Sequence, residues 1–195
     1  MGSRTPFHPL QGLNDHQTLS ADGLGLRSWN PTFVDAMLIA IQESLPELQL
    51  WMPWAQTMPA GENLRQVLAQ GEEDFNADRN WDYSIFEERS GDLVGGVGLH
   101  RTEDPSCLEI GYWVHSHRTR RGYATIAARA LVEAAFSYLS NASQILIRMD
   151  LANLASASVP PKLGFSLIKK EVREILAKGH TGRGYVWVLN RPRYC

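Results

Sequence analysis

Cysteine, net charge and long apolar runs are all scarce in this chain, and each scarcity removes a class of function. The only cysteines, Cys107 and Cys195, make neither a disulfide framework nor a thiolate metal cluster, so a reducing cytoplasm is the expected setting and no metal is expected. Lys and Arg number 19 against 21 Asp and Glu, a formal charge of −2, without the basic excess a phosphate footprint needs; nucleic acid is not an expected partner. No apolar stretch approaches the ~20 residues of a membrane span. The first residues lack the basic-then-apolar layout of a signal peptide, and Pro6 stands where a myristoylation signal needs Ser or Thr, so no membrane partner is expected. Gly-x-x-x-x-Gly-Lys-Ser/Thr is absent too, which sets aside a P-loop phosphotransferase.

What is present is ordinary globular material: 44% hydrophobic and 21% charged over 195 residues, enough for one domain with a substantial core. Residues 1–22 are rich in Gly, Pro, Ser, Asp and His without a sustained apolar period, which predicts a loose arm ahead of a single domain over 23–195. Leu24 to Trp29 reads as a first strand. Phe33, Met37, Leu38 and Ile41, then Leu64, Val67 and Leu68, recur at helical spacing, and Pro46, Pro53 and Pro59 predict that this region breaks into short helices. From Trp81 the period changes to two. Trp81–Glu88, a strand with Leu93, Val97 and Leu99 on one face, and a strand with Leu108, Ile110, Tyr112 and Val114 on one face predict an antiparallel meander. A helix follows over about 123–139, then a strand with Ile145, Ile147, Met149 and Leu151 alternating, a helix capped by Asn153 and ended by Gly164, and two closing strands. The sum is an α+β domain.

One junction carries chemistry. Tyr112 to Thr125 runs from a strand through a basic, Gly-containing turn into a helix start. A first helical turn offers unpaired N–H groups and the positive end of the macrodipole. Gly122 permits close backbone approach, and Arg120 and Arg121 add charge, so a pyrophosphate is a natural ligand; a merely solvated basic turn is the alternative.

Three ordered segments resemble the GNAT superfamily of N-acetyltransferases, in its RimJ/RimL-like branch. Glu109-Ile110-Gly111-Tyr112-Trp113 resembles that branch's fourth strand. The turn resembles the Gln/Arg-x-x-Gly-x-Gly/Ala signature through Gly122 and Ala124, with Thr119 in place of Gln or Arg and Arg120 in place of a frequent Gly. Asn153-x-x-Ser156-x-x-Val159-x-x-Lys162-Leu163-Gly164-Phe165 is similar to the branch's Asn-x-x-Ser…Lys-Leu-Gly-Phe segment, and Ser44 to Leu48 with Trp51 to Trp54 is similar to its acceptor-side helices.

The resemblance implies a mixed, mostly antiparallel sheet, flanked by helices and splayed at the cofactor site. It also implies acetyl-CoA as cosubstrate. Arg120, Arg121, Gly122, Tyr123, Ala124 and Thr125 would receive the phosphates, with Asn153 and Lys162 alongside. Backbone N–H groups at Trp113 and Val114 would hold the pantetheine or thioester oxygen. Glu109, on the face of Gly111 and Trp113, is the candidate base, with an edge carboxylate facing solvent or an arginine as its alternative. Ser156 is the candidate thiolate partner, or simply bonds to backbone near a cap. The implied acceptor is a primary amine, first a protein N-terminal α-amine and second a small-molecule amine. An open groove would favour the peptide and a walled pocket the small molecule. A non-catalytic acyl-CoA-binding module is the alternative outside catalysis, and a homodimer is compatible with the reading. Pro160-Pro161 predicts a shortened or kinked helix before Gly164. His115 and His117 read as surface histidines without a carboxylate partner.

Overall fold

The computed structural model describes residues 13–192. An 8-stranded sheet runs in the order β1-β2-β3-β4-β5-β6-β8-β7, with β1 Thr18–Ala21, β2 Leu24–Ser28, β3 Asn80–Glu87, β4 Leu93–Arg101, β5 Cys107–Val114, β6 Gln144–Asp150, β7 Ser166–Val172 and β8 Arg183–Asn190. Every neighbouring pair is antiparallel except β5 and β6. A parallel pair needs a crossover, and α3, Tyr123–Tyr138, supplies it.

The first departure from expectation lies within 13–22. Leu13 is fully buried, and β1 pairs along β2 from Thr18↔Arg27 to Ala21↔Leu24. The Tyr83 hydroxyl donates to the His16 carbonyl at 2.9 Å, and the His16 ring stacks on Tyr138. This part of the chain is built into the domain; residues 1–12 of the expected arm lie outside the described residues.

The second departure is α1, which runs from Val34 to Trp51 straight through Pro46. An interior proline costs ~3 kcal/mol in an isolated helix. Here one face of α1 buries Val34, Met37, Ala40, Ile41 and Leu48, and that packing outweighs the missing hydrogen bond. Pro53 and Pro59 do punctuate the chain, the first opening a 3₁₀ turn and the second preceding α2, Gly61–Asn76.

Two large cores lie on opposite faces of the sheet, beside a small cluster of Cys107, Leu146, Val186 and Val188. One joins α3 to Trp81, Tyr83, Ile85, Val97, Leu99, Leu108, Ile110 and Ile147. The other joins α1 and α2 to Phe86 and Leu93. Leu93 was expected beside Val97 and Leu99, but a bulge intervenes. Ile85 pairs with Gly95 while Phe86 pairs with Leu93, so Val94 is the extra residue and Leu93 turns to the α1 side. Gly95 is required there, because a Cβ would lie 2.3 Å from the Trp113 carbonyl oxygen.

Candidate active site

β5 and β6 pair only at Cys107↔Gln144, Leu108↔Ile145 and Glu109↔Leu146. Beyond these the strands part, and a cavity of about 870 Å³ opens through the gap, lined on the β5 side by Ile110 to Trp113 and on the β6 side by Ile147 to Asp150. The direction of the β5 backbone follows from alternation. The His115 N–H donates to the Val94 carbonyl at 2.9 Å, so Trp113, paired with Gly96, also turns its N–H to β4. The N–H groups of Tyr112 and Val114 therefore address the gap. Of the two residues expected to offer backbone donors here, Val114 directs its N–H to the gap. The Trp113 N–H is directed at β4, and its indole lines the cavity instead.

On one face of the sheet stands the start of α3. Gly122 is its N-cap at φ 84°, Arg120 also has positive φ at 62°, and no side chain caps the helix. The first intrahelical donor is Ile126, to Gly122 at 2.9 Å. Among the described residues the N–H groups of Tyr123, Ala124 and Thr125 have no partner, which leaves a cluster of donors suited to an anion. Glu87 holds the turn in shape: the Tyr123 hydroxyl and Ser90 donate to it, and Arg118 and Arg121 lie 3.2 and 3.7 Å away. The Tyr123 hydrogen bond, the Ser90 bond and then the two guanidinium charges hold the Glu87 carboxyl below its ordinary range. Tyr123 is thus committed through its hydroxyl to the loop, and Arg120, exposed, has no ion-pair partner among the described residues.

Asn153 caps the short α4, Leu154–Ala157, by accepting from the Ser156 N–H at 3.1 Å. As the prolines predict, the helix stops, and a 3₁₀ turn over Pro160–Leu163 leads to Gly164 at φ 80°. Lys162 is exposed on that turn. Both Asn153 and Ser156 line the cavity. The Ser156 hydroxyl donates to the Tyr112 oxygen at 3.1 Å, and Tyr112 donates to the Ser156 carbonyl at 3.0 Å. Burial pushes the Tyr112 pKa up to about 12, so it stays a protonated donor.

On the opposite face the alternation of β3 and β4 produces a pair the sequence reading missed. Asp82 Oδ1 and His100 Nε2 are 2.9 Å apart and both line the cavity. Gly98 makes the meeting possible: a Cβ there would sit 2.1 Å from the Asp82 oxygen and 2.8 Å from the His100 nitrogen. The Asp82 hydrogen bond raises the His100 pKa above its ordinary value against the opposing effect of burial, with the charges of Asp82 and Glu109 adding to the rise. Because Asp82 accepts at Nε2, the free Nδ1 carries the lone pair in the neutral ring.

Glu109 does not join this pair. Its carboxylate meets Arg148 and lines a smaller recess with Arg101 and Cys107, apart from the main cavity. It faces an arginine, as its alternative had it, but from a strand paired on both sides and not from an edge. Of the two histidines expected at the surface, His117 is exposed and His115 is not. His115 is buried and does have a carboxylate partner, Glu43 on α1 at 2.8 Å, and Glu43, His115 and His117 place their ligand-type atoms within 4.8 Å of one another. However, His115 Nδ1 accepts from the His117 N–H, so Nε2 carries the proton and donates to Glu43. With Ser116 N–H to Ser44 Oγ at 3.0 Å, the contact ties α1 to the loop before α3. Neither partner was legible, since each lies 72 residues away.

The far wall comes from the end of α1 and the β7–β8 loop. The Gly179 N–H donates to the Leu50 carbonyl at 2.9 Å, the His180 Nε2 lies 3.1 Å from the Trp51 carbonyl, and Lys178 Nζ reaches Gln49 at 2.7 Å. The cleft is thereby bridged rather than left as an open groove.

The sheet is thus opened between two parallel strands, with an uncapped helix start on one face and a carboxylate–imidazole pair on the other. The family described as Acetyltransferase (GNAT) domain matches residues 24–166, and the chain belongs to it; it is an N-acetyltransferase of that family. It is 24% identical over 155 residues, 78% of this chain and 79% of the other, to a Bacillus subtilis (strain 168) protein provisionally named ribosomal N-acetyltransferase YdaF. Among solved structures it is similar in fold to RimL, a ribosomal L7/L12 alpha-N-protein acetyltransferase in complex with coenzyme A, with TM-score 0.81, 18% identity, and 89% and 97% of the two chains covered. It is likewise similar to a ribosomal-protein-S5-alanine acetyltransferase from Vibrio fischeri, with TM-score 0.77, 15% identity, and 89% and 96% covered. No helix among the described residues is long and apolar enough to cross a membrane.

Proposed function

We propose that this protein transfers acetyl from acetyl-CoA to the α-amine of a polypeptide N-terminus. The observation that carries the reading is the gap between β5 and β6, whose cavity is lined by Tyr112, Asn153 and Ser156 as well as by Asp82 and His100. Acetyl-CoA would supply the thioester acyl group. The N–H groups of Tyr123, Ala124 and Thr125, with Arg120 and Arg121 beside them, would hold its phosphates, and Lys162 adds charge nearby. The N–H groups of Tyr112 and Val114 would receive the oxygens that lie along the gap.

His100 then replaces Glu109 as the base. Its Nδ1 takes the proton that the ammonium must lose before nitrogen can attack, while Asp82 fixes the tautomer and stabilises the imidazolium. As the new C–N bond forms and the C–S bond breaks, the second amine proton goes to the thiolate through the Ser156 and Tyr112 hydroxyls. A histidine with a raised pKa is matched to an α-amine at ~7.7–8.0 and poorly matched to lysine at ~10.4, which supports the N-terminal acceptor. The relative named for ribosomal acetylation supports it too.

One observation favours a small free amine instead: the bridge between the end of α1 and the β7–β8 loop walls the cavity. An acetyl-CoA thiol-release screen against N-terminal peptides and small amines separates the two. Retained CoA binding with no release against any amine would overturn catalysis itself and support a binding module.

A further inference from the structure

The acceptor side of the cavity is built from far more apolar material than an amine and a small side chain can cover. Trp113 lies over Gly96, where a Cβ would sit 2.6 Å from the indole nitrogen, and Trp54 meets Trp113 edge to face with ring centroids 6.2 Å apart. Trp51 closes the far end under Gly179, where a Cβ would be 3.0 Å from the ring. Three further facts narrow the occupant. First, the charged pair Asp82 and His100 sits at Gly98 beside the gap, so the nitrogen is fixed at one end and whatever it carries must extend toward the indoles. Second, Trp54 at 49%, Val67 at 50% and Leu176 at 48% line the cavity yet stay half-exposed, so the pocket wall itself holds apolar surface that the described residues leave uncovered. Third, the hydrogen bonds between the end of α1 and the β7–β8 loop wall the cavity beside Trp51, so the occupant has a limit beyond the indoles.

We infer that the acceptor amine belongs to a polypeptide N-terminus whose first residue is large and apolar, of the size of phenylalanine, leucine or methionine. This rests on the acetyltransferase reading above and narrows its acceptor; it differs from the alanine named for the Vibrio fischeri structure. A serine or alanine would place its amine correctly and leave the indole walls in contact with water. A large side chain covers them, and each methylene added to such a pocket is worth on the order of tenfold or more in kcat/KM.

The test is thiol release with peptides identical except at the first residue, which is Phe, Leu, Met, Ala or Ser, run beside phenethylamine and isoamylamine as free apolar amines. Phe, Leu and Met peptides are expected to exceed Ala and Ser peptides at least tenfold in kcat/KM. Trp54→Ala should lower the Phe peptide at least fivefold more than the Ala peptide, and leave CoA affinity by calorimetry unchanged. Equal rates for all first residues, or a preference for Ala or Ser, overturn this inference while the N-terminal reading stands. Turnover of the free apolar amines with every peptide inert overturns the N-terminal source and supports the apolar body. A Trp54→Ala variant that lowers both peptides alike overturns the wall's role in selection.

Discussion

The two faces of the sheet carry opposite materials. On the α3 face the site is backbone and charge: three unpartnered N–H groups at Tyr123, Ala124 and Thr125, a left-handed Gly122, and arginines arranged around Glu87. On the α1 face it is side chains: indoles over glycines, with one carboxylate–imidazole pair let in by Gly98. The difference teaches that a pyrophosphate can be met by a local motif of a few consecutive residues, whereas an acceptor is met by residues from many elements brought together by packing. If so, substitutions should sort by face: those on the α1 face change turnover or acceptor choice, and those on the α3 face change cofactor affinity.

The largest break is expected at His100. His100→Gln should lower kcat about 100-fold or more in the thiol-release assay, the lower end of what a positioned base contributes, with CoA affinity by calorimetry unchanged. Asp82→Asn sharpens the same point through pH. His100 acts only when neutral, so the rate rises with pH through its raised pKa; removing the carboxylate that stabilises the imidazolium should move that inflection to lower pH, and an unmoved inflection would rule the pair out. On the other face, Gly122→Ala forces an alanine to φ 84°, at ~1–2 kcal/mol. CoA affinity should fall about tenfold while the ranking of acceptors is kept. Glu87→Gln loosens Arg118, Arg121 and Tyr123 together, and about a threefold loss of CoA affinity is expected, larger in low salt. The smallest effect belongs to Glu109→Gln, which should keep its rate within about twofold across pH, because its carboxylate is engaged with Arg148. A large loss there would return the base to β5.

The sequence was readable where function is local. The α3 start, the Asn153 cap, the break at Pro160-Pro161 and the antiparallel meander all follow from residues close together in the chain. Asp82 and His100 lie 18 residues apart, and their meeting depends on the β3–β4 register and on Gly98 between them. The register passes through a bulge at Val94 that no alternation rule places, and the same bulge sent Leu93 to the unexpected face. A hint existed: Gly96 and Gly98 alternate along a strand, which marks a face where something larger must approach. Glu43 and His115 were beyond any such rule, because a helix–strand contact 72 residues long is a product of the whole fold. Pro46 misled for the converse reason, its local cost being overridden by the packing of α1.

The short pairing of β5 with β6 has a mechanical meaning. Among the described residues, three residue pairs are the only strand-to-strand stitches between the half-sheet β1–β5 and the half-sheet β6–β8, so the sheet has a narrow waist there. A ligand laid into the opening replaces the rungs that the chain leaves out, and behaves as a removable strand. Saturation at 100 times Kd would add ~2.7 kcal/mol to the folded state. The amides of β6 and β8 should then exchange with solvent faster than those of β3 and β4 in the empty protein, and slow the most when the opening is filled.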